Sequence, residues 1–333
     1  MPDIQLLKEA AESGNIGDFL RKNPQFFLTP SLFIDKLDLR GQDLTDVEIA
    51  GPVSNLDTPE ILKLSEINSD FSDFSNSRLK DFFLSRSSFK KAKFMKSRIE
   101  NIRFHLCDFG GAILTDAQMN NIDGFCISFS FANLEGVKMN KCFIPKIDLS
   151  FANITRLDAN RLKSPLANFT GVKAETSLFI SCNLACIQMT GSQFKGAFFT
   201  DNEELDMFEP TSLIACFAHG ASLQSAHFIN TLLIHSDFSG ADLTNAEFKG
   251  RRERKFGITP SLDLTGAIFT GANLTDTVFE GCDLSTACFD RAILSNTLFK
   301  DCNVAGASFF EANIKSIQGN QGDWIKRHWQ EYF

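Results

Sequence analysis

Large apolar residues recur at every fifth position along most of this chain. Between 264 and 314, all of these positions, which we call centres, hold Leu, Phe, Val or Ile. The same register runs through 74–199, and a block at 213–248 follows with a shift of one residue. Within 264–314, a small residue lies two positions before every centre but the first. The exceptions among the centres are Gly124, Ala159, Ser164, Ala174 and Ala218.

A five-residue period fits neither a helix, which repeats near 3.6, nor a strand, which repeats at 2.0. It predicts a chain that turns once per repeat and closes a four-sided coil after four repeats. One large and one small residue of each repeat then face inward, and neighbouring coils pair at about 4.8 Å. The pattern predicts that Phe279 stacks on Phe299 and Phe269 on Phe289. Glycines two residues after a centre, such as Gly111, mark corners that need positive φ.

Several repeats resemble the consensus A-(D/N)-L-x-x of the pentapeptide-repeat family, over about residues 72 to 316. They include Ala241-Asp242-Leu243, Ala272-Asn273-Leu274, Ala132-Asn133-Leu134 and Ala152-Asn153-Ile154. The resemblance implies an all-β solenoid, a right-handed quadrilateral β-helix. It says little about function, because members of this family have very different roles.

The ends of the chain predict short α-helical caps, as repeat arrays require. Segment 1–36 is assigned to an N-terminal helical cap and 37–66 to a first coil with a helical interruption near 57–60. The repeats occupy 67–317, with loops at 201–212 and 249–263, and 318–333 is a C-terminal helix. Ile4, Leu7 and Ala11 share a face of the first predicted helix, and a second helix covers 16–22.

Aromatic residues cluster on one face of the predicted C-terminal helix. A cap is the simpler interpretation, and a homodimer contact is the alternative, since some pentapeptide-repeat proteins pair through their C-terminal ends. The residues concerned are Trp324, Ile325, Trp329, Tyr332 and Phe333.

Charge is unevenly distributed along the chain, whose net charge is −8. Residues 78–103 contain nine Lys or Arg and two acidic residues, all nine at outward positions of the register. This belt predicts contact with a charged partner. The candidates are Lys90, Lys91, Lys93, Lys96 and Arg98. The second loop adds Arg251, Arg252, Arg254 and Lys255, because loops on a scaffold often carry function.

No catalytic, cofactor-binding or metal-binding pattern appears in the sequence, and the prediction is that the protein is not an enzyme. Six of the nine cysteines occupy the small inward position and are expected to fill the core. Asp and Asn residues just before centres, such as Asp148 and Asp283, are expected to bond the local backbone. The sequence holds 35 Phe but one Tyr, as expected for rings buried without a hydrogen-bonding partner.

The leading hypothesis is a non-catalytic scaffold that binds another protein. No signal peptide or membrane span is visible, so a cytoplasmic location is expected. The resemblance also admits a bacterial effector acting inside host cells. The alternative it implies is a DNA-mimicking binder that inhibits or protects DNA gyrase or another topoisomerase, although the basic belt counts against this. Nucleic-acid binding through the belt is a third and weaker hypothesis, because the belt has few exposed aromatics for base stacking and the net charge repels phosphates elsewhere.

Overall fold

The structure is a computed structural model. It describes residues 4–28, 32–52, 62–202, 210–250, 262–314 and 316–329. The chain forms two compact units, Met1–Asp158 and Ala159–Phe333. Each unit consists of short parallel strands stacked coil upon coil, so the predicted four-sided β-solenoid class is confirmed.

The first unit opens with two helices, followed by the coils. The helical elements are α1 (Ile4–Glu12), α2 (Ile16–Lys22) and a 3-10 turn at Phe26–Leu28. The strands are β1 (Phe33–Asp35), β2 (Glu48–Ala50), β3 (Leu62–Ser65), β4 (Arg78–Lys80), β5 (Phe82–Ser85), β6 (Arg98–Glu100), β7 (Arg103–His105), β8 (Gln118–Asn120), β9 (Asp123–Phe125) and β10 (Lys138–Asn140). Strand β11 covers Asp158–Asn160.

Four walls form the coil of the first unit. Wall 1 consists of β1, β3, β5, β7 and β9, and wall 4 of β2, β4, β6, β8 and β10. Walls 2 and 3 lie between them and are joined by isolated bridges such as Ser88 to Asp108 and Lys93 to Ile113. Within an uninterrupted stretch the paired residues are 20 apart, as four five-residue repeats per coil require.

The N-terminal helices pack against the first coil. Leu7 and Ala11 of α1 are buried, and the Arg21 guanidinium donates to the Thr45 carbonyl at 2.7 Å. Gly17 is required for this approach, because a Cβ there would lie 1.9 Å from the Asp43 carbonyl oxygen. Strand β1 begins at Phe33 and pairs with β3, so the parallel ladder starts inside the segment 1–36 assigned to the cap. The predicted helical turn near 57–60 falls outside the described residues.

Inward and outward residues alternate as the repeat predicts. Phe94 and Ala92 are buried while Lys93 between them is exposed. The Asp and Asn residues before centres bond the backbone two residues on: the Asp148 carboxylate accepts from the Ser150 amide at 3.0 Å. The repeat therefore explains these carboxylates, as predicted.

Most corners of the coil hold a residue with positive φ, two positions after a centre. Gly111 has a φ of 67°, as expected, but most corner residues are not glycine, and Phe131 has a φ of 59°. The left-handed conformation costs an L-residue about 1–2 kcal/mol. Hydrogen bonds between coils offset this cost, for example from the Phe131 amide to the Ser150 carbonyl at 2.9 Å.

The second unit repeats this construction. Its strands are β12 (Leu178–Ile180), β13 (Phe198–Thr200), β14 (His227–Ile229), β15 (Glu247–Lys249), β16 (Leu262–Asp263), β17 (Val278–Glu280), β18 (Cys282–Asp283) and β19 (Leu298–Lys300), and helix α3 covers Asn320–Trp329. Strands β12, β13, β14, β15, β17 and β19 form one parallel ladder. Across the two insertions the pairing shifts to 29 and 31 residues, as in Phe199 with Phe228 and Phe248 with Phe279.

Stacked phenylalanines fill the core of the second unit. Phe279 stacks on Phe299 with ring centroids 5.1 Å apart, and Phe269 on Phe289 at 4.9 Å. Rings from opposing walls meet edge to face, as Phe279 and Phe289 do at 5.9 Å. The predicted alternation of Phe walls is confirmed.

Candidate functional site

The basic belt surrounds the coil of the first unit instead of forming one patch. Arg103 lies on wall 1, Lys90 on wall 2, Lys93 on wall 3 and Arg98 on wall 4, and Lys91 and Lys96 occupy corners. All nine basic side chains face outward, as predicted. The belt therefore divides into groups that face different directions.

Two candidate lysines are held by neighbouring acids. The Lys90 ammonium lies 3.2 Å from Asp108, and Lys93 lies 3.4 Å from Asp73. The hydrogen bond and the charge of Asp108 raise the pKa of Lys90. Both pairs are exposed and contribute little to stability.

We call Arg78, Lys96 and Arg98 the basic cluster. Arg78 and Arg98 are register partners on β4 and β6, so two like charges lie opposite each other. Arg78 contacts Glu100 at 3.5 Å and Glu48 at 3.9 Å. Lys96 and Arg98 have no ion pair among the described residues. Like charges in register destabilise a sheet, so stability does not explain this arrangement.

A column of exposed phenylalanines follows the corner between walls 2 and 3, which we call the aromatic corner. From the second coil onward its residues, one per coil, are Phe71, Lys91, Gly111, Phe131 and Phe151, and the first coil has Gly41 at this position. The three Phe are 61%, 69% and 57% exposed. Phe131 and Phe151 stack at 5.3 Å, and the Lys91 ammonium lies 5.6 Å from the Phe71 ring.

Sequence reasoning missed the aromatic corner. These rings are not at centres, and the repeat predicts only glycine at the corners. The signal was nevertheless present, because Phe131 and Phe151 each lie two residues after a centre, and Phe71 lies one repeat before the corresponding position after Phe74. A list of every residue at that position would have separated outward Phe from core Phe.

The two charged loops leave the second unit at one corner. The first begins after β13 at Asp201, the second after β15 at Gly250, and Asn230 lies between them in the same column. Asp201 is buried, and its carboxylate accepts from the Asn230 amide at 3.3 Å. Thr211 fixes the return of the first loop by donating to the Thr200 carbonyl at 2.6 Å. The departure points are two coils apart, about 10 Å at the usual strand spacing.

Several predicted contacts fall outside the described residues. These are Arg251, Arg252, Arg254 and Lys255 of the second loop, Tyr332 and Phe333, and the side chains of Trp324 and Trp329. Ile325 is described and is fully buried in the second unit, with α3 packed beside β19. A buried Ile325 fits a cap and leaves this residue unavailable to a dimer partner.

Across the described ranges, no three His, Cys, Asp or Glu side chains come together as a metal site needs. In the same part of the chain, no helix is long and apolar enough to cross a membrane. The six inward cysteines are buried free thiols, as predicted.

The walls, corners and stacked centres define a repeat protein of the four-sided solenoid class. Eight copies of the model for pentapeptide repeats match the chain, within residues 219–250 and 262–296. The chain therefore carries pentapeptide repeats, and the resemblance predicted from the sequence is confirmed. No curated protein matches the chain in sequence.

Several solved structures are similar to this chain at low identity and low TM-score. HetL, a pentapeptide repeat protein involved in heterocyst differentiation regulation in the cyanobacterium Nostoc, is 19% identical with a TM-score of 0.27, over 92% of this chain and 97% of HetL. Full-length QnrB1, a plasmid-mediated fluoroquinolone resistance protein, is 13% identical with a TM-score of 0.28, over 74% and 96%. The A-module of the mannuronan C-5 epimerase AlgE6 of Azotobacter vinelandii is 8% identical with a TM-score of 0.29, over 95% and 93%. These likenesses carry no inference about function.

Proposed function

We propose that this protein is a non-catalytic scaffold that binds a protein partner of acidic surface. The observation that carries the proposal is the basic cluster on wall 4 of the first unit. Two of its three cations have no ion pair among the described residues, and like charges face each other in register. An acidic partner would relieve this repulsion and accelerate association.

The fold supports a scaffold because the repeat already accounts for most chemistry-bearing residues. Inward Cys fill the core, and Asp before centres bond the local backbone. Outward positions remain free to vary without cost to the core, which is how solenoids present binding surfaces. The loop residues 251–255 and the aromatic residues of the C-terminal helix remain predicted additional contacts of the same scaffold.

Charge reversal in the basic cluster is expected to weaken partner binding about tenfold or more. The variant is Lys96→Glu with Arg98→Glu. The measurement is affinity capture with immobilised full-length protein at several salt concentrations, with each recovered protein quantified. Recovery of the partner should fall with the variant and, for the wild type, with rising salt.

A matched control carries the same change of charge in the second unit, at the exposed residues Lys173 and Lys195. Lys173→Glu with Lys195→Glu should recover the partner like the wild type. Circular dichroism should show unchanged folding for both variants. Equal recovery by the two variants, or recovery of nothing above empty beads, contradicts the proposal.

The alternative from the sequence, a DNA-mimicking binder of DNA gyrase or another topoisomerase, can be tested separately. Such a mimic needs an unbroken negative surface, and the basic cluster interrupts it on wall 4. We therefore expect no change in a gyrase supercoiling assay at micromolar protein, with or without a quinolone. Inhibition or protection in that assay would favour the alternative instead.

A further inference from the structure

Gly111 interrupts the run of long side chains along the aromatic corner. Phe71 and Lys91 occupy two successive coils and Phe131 and Phe151 two others, while Gly111 occupies the coil between them. We propose that an aromatic side chain of a partner protein inserts at Gly111 and completes the column. This inference rests on the proposed scaffold function and places a second contact surface away from the basic cluster.

The space at Gly111 has the dimensions of one ring. A Cβ built there meets only the Lys91 Cγ, at 3.4 Å. The preceding residue is Gly110, so no side chain fills the adjoining position on wall 2. Lys91 and Phe131 are two coils apart, about 10 Å at the usual strand spacing. A ring midway would lie about 5 Å from each, close to the 5.3 Å between Phe131 and Phe151.

Stability of the fold does not explain the phenylalanines of this corner. They are among the more exposed apolar side chains of the unit. They also hold φ values of 57–63°, which suit Gly or Asn and disfavour a bulky residue. An exposed aromatic column marks a surface that another molecule covers.

The neighbouring charges indicate the chemistry of the partner. The ammonium of Lys91 lies over Phe71 and forms no ion pair among the described residues, so one carboxylate beside the inserted ring would pair with it. Lys90 and Lys93 are already paired with Asp108 and Asp73. A nucleic acid would bring a phosphate for every base and finds too few unpaired cations here. The observations therefore favour a protein segment with an aromatic residue flanked by Asp or Glu.

The column sets the length of this segment. Four coil steps separate Phe71 from Phe151, about 19 Å, and an extended chain covers this with about six residues. The probe is therefore a fluorescein-labelled peptide of about eight residues, with a central tryptophan flanked by glutamates and otherwise serine and glycine. Two control peptides replace the tryptophan with alanine or the glutamates with lysine.

Fluorescence anisotropy with the full-length protein tests the proposal. The tryptophan peptide is expected to bind about tenfold tighter than either control peptide. Gly111→Phe supplies the missing ring from the protein itself, and this corner already accepts Phe at equivalent positions. That variant is expected to weaken binding of the tryptophan peptide about tenfold, and Phe131→Asn to do the same without loss of folding, because Asn tolerates positive φ.

Gly191→Phe is the matched control. Gly191 is a corner glycine of the second unit with a φ of 63° and no atom within 4 Å of a built Cβ. This variant should bind the tryptophan peptide like the wild type. Binding that ignores the tryptophan, or that survives both Gly111→Phe and Phe131→Asn, overturns the proposal.

Two further measurements address other occupants. If sedimentation velocity shows that the wild type is a dimer and that Gly111→Phe is a monomer, the corner binds a second copy of this chain and the proposal is overturned. If a single-stranded oligonucleotide binds the wild type and Gly111→Phe abolishes that binding, the corner is a nucleic-acid site and the proposal is overturned. The variant Lys96→Glu with Arg98→Glu should still bind the peptide, so failure here and failure of the scaffold proposal are distinguishable.

Discussion

Phe279→Asp is expected to lower the free energy of unfolding of the second unit by about 5 kcal/mol or more. Phe279 is fully buried. It stacks on Phe248 at 4.8 Å and on Phe299 at 5.1 Å. Truncating such a ring costs about 3–5 kcal/mol through the cavity alone, and an unpaired carboxylate adds its desolvation.

The measurement is urea unfolding followed by circular dichroism, together with thermal melting. A conservative variant, Phe279→Leu, keeps the experiment informative if the aspartate variant does not fold. It should lose about 1–2 kcal/mol, because volume is largely retained and the ring stacking is lost. Phe310→Asp is the control: Phe310 is exposed in the same unit, and its change should stay within about 0.5 kcal/mol. Equal melting of Phe279→Asp and Phe310→Asp would refute the inward assignment.

The walls of the solenoid could be predicted because the five-residue period fixes which residues share a wall. Once Phe279 and Phe299 are assigned to one wall, 20 residues apart, their stacking follows from the strand spacing. The buried state of Cys216 and the backbone role of Asp148 follow from the same register. All of these are properties of position within the repeat.

The corners could not be predicted as fully, because the intrinsic backbone preference of most residues disfavours the left-handed conformation that the corners require. Lys91 and Phe131 adopt the left-handed conformation, which single residues of these types rarely do. The path of the coil overrides that preference through hydrogen bonds between coils. The sequence analysis also did not predict that the two loops leave from the same corner. The register implies it, because the insertions follow Phe199 and Phe248, which are centres of the same wall.

For the basic belt, the sequence predicts which side chains face outward but not which of them form ion pairs. The outward direction of Lys90 and Arg98 follows from the register and is confirmed. The register does not predict their different environments. Asp108 lies one coil away from Lys90, and their ion pair depends on side-chain geometry. The sequence therefore predicts a charged surface, and the structure separates neutralised cations from those available to a partner.

Buried thiols supply the second prediction of large effect. Burial raises the pKa of Cys107 and of Cys142 to about 11 and that of Cys216 to about 12, from an ordinary value of 9.0. These thiols remain protonated in the folded chain after the unfolded chain has begun to ionise. Their contribution to stability is therefore complete below about pH 9 and is lost as the pH rises towards 11–12.

Between pH 8 and pH 10.5 the free energy of unfolding of the wild type should therefore fall more than that of a variant without these three thiols. Each shifted thiol accounts for about 2 kcal/mol at pH 10.5, so replacing all three should remove about 6 kcal/mol of this loss, summed over the two units. The variant is Cys107→Ala with Cys142→Ala and Cys216→Ala, since Ala occupies the equivalent inward position at Ala92 and Ala112. Urea unfolding at both pH values measures the difference, and ionisation of Lys and Tyr cancels between the proteins. Cys126→Ala changes an exposed thiol and is the control for the substitution itself, with a stability at pH 8 within about 0.5 kcal/mol of the wild type. An identical alkaline loss in the triple variant would mean that these thiols are not held in the core.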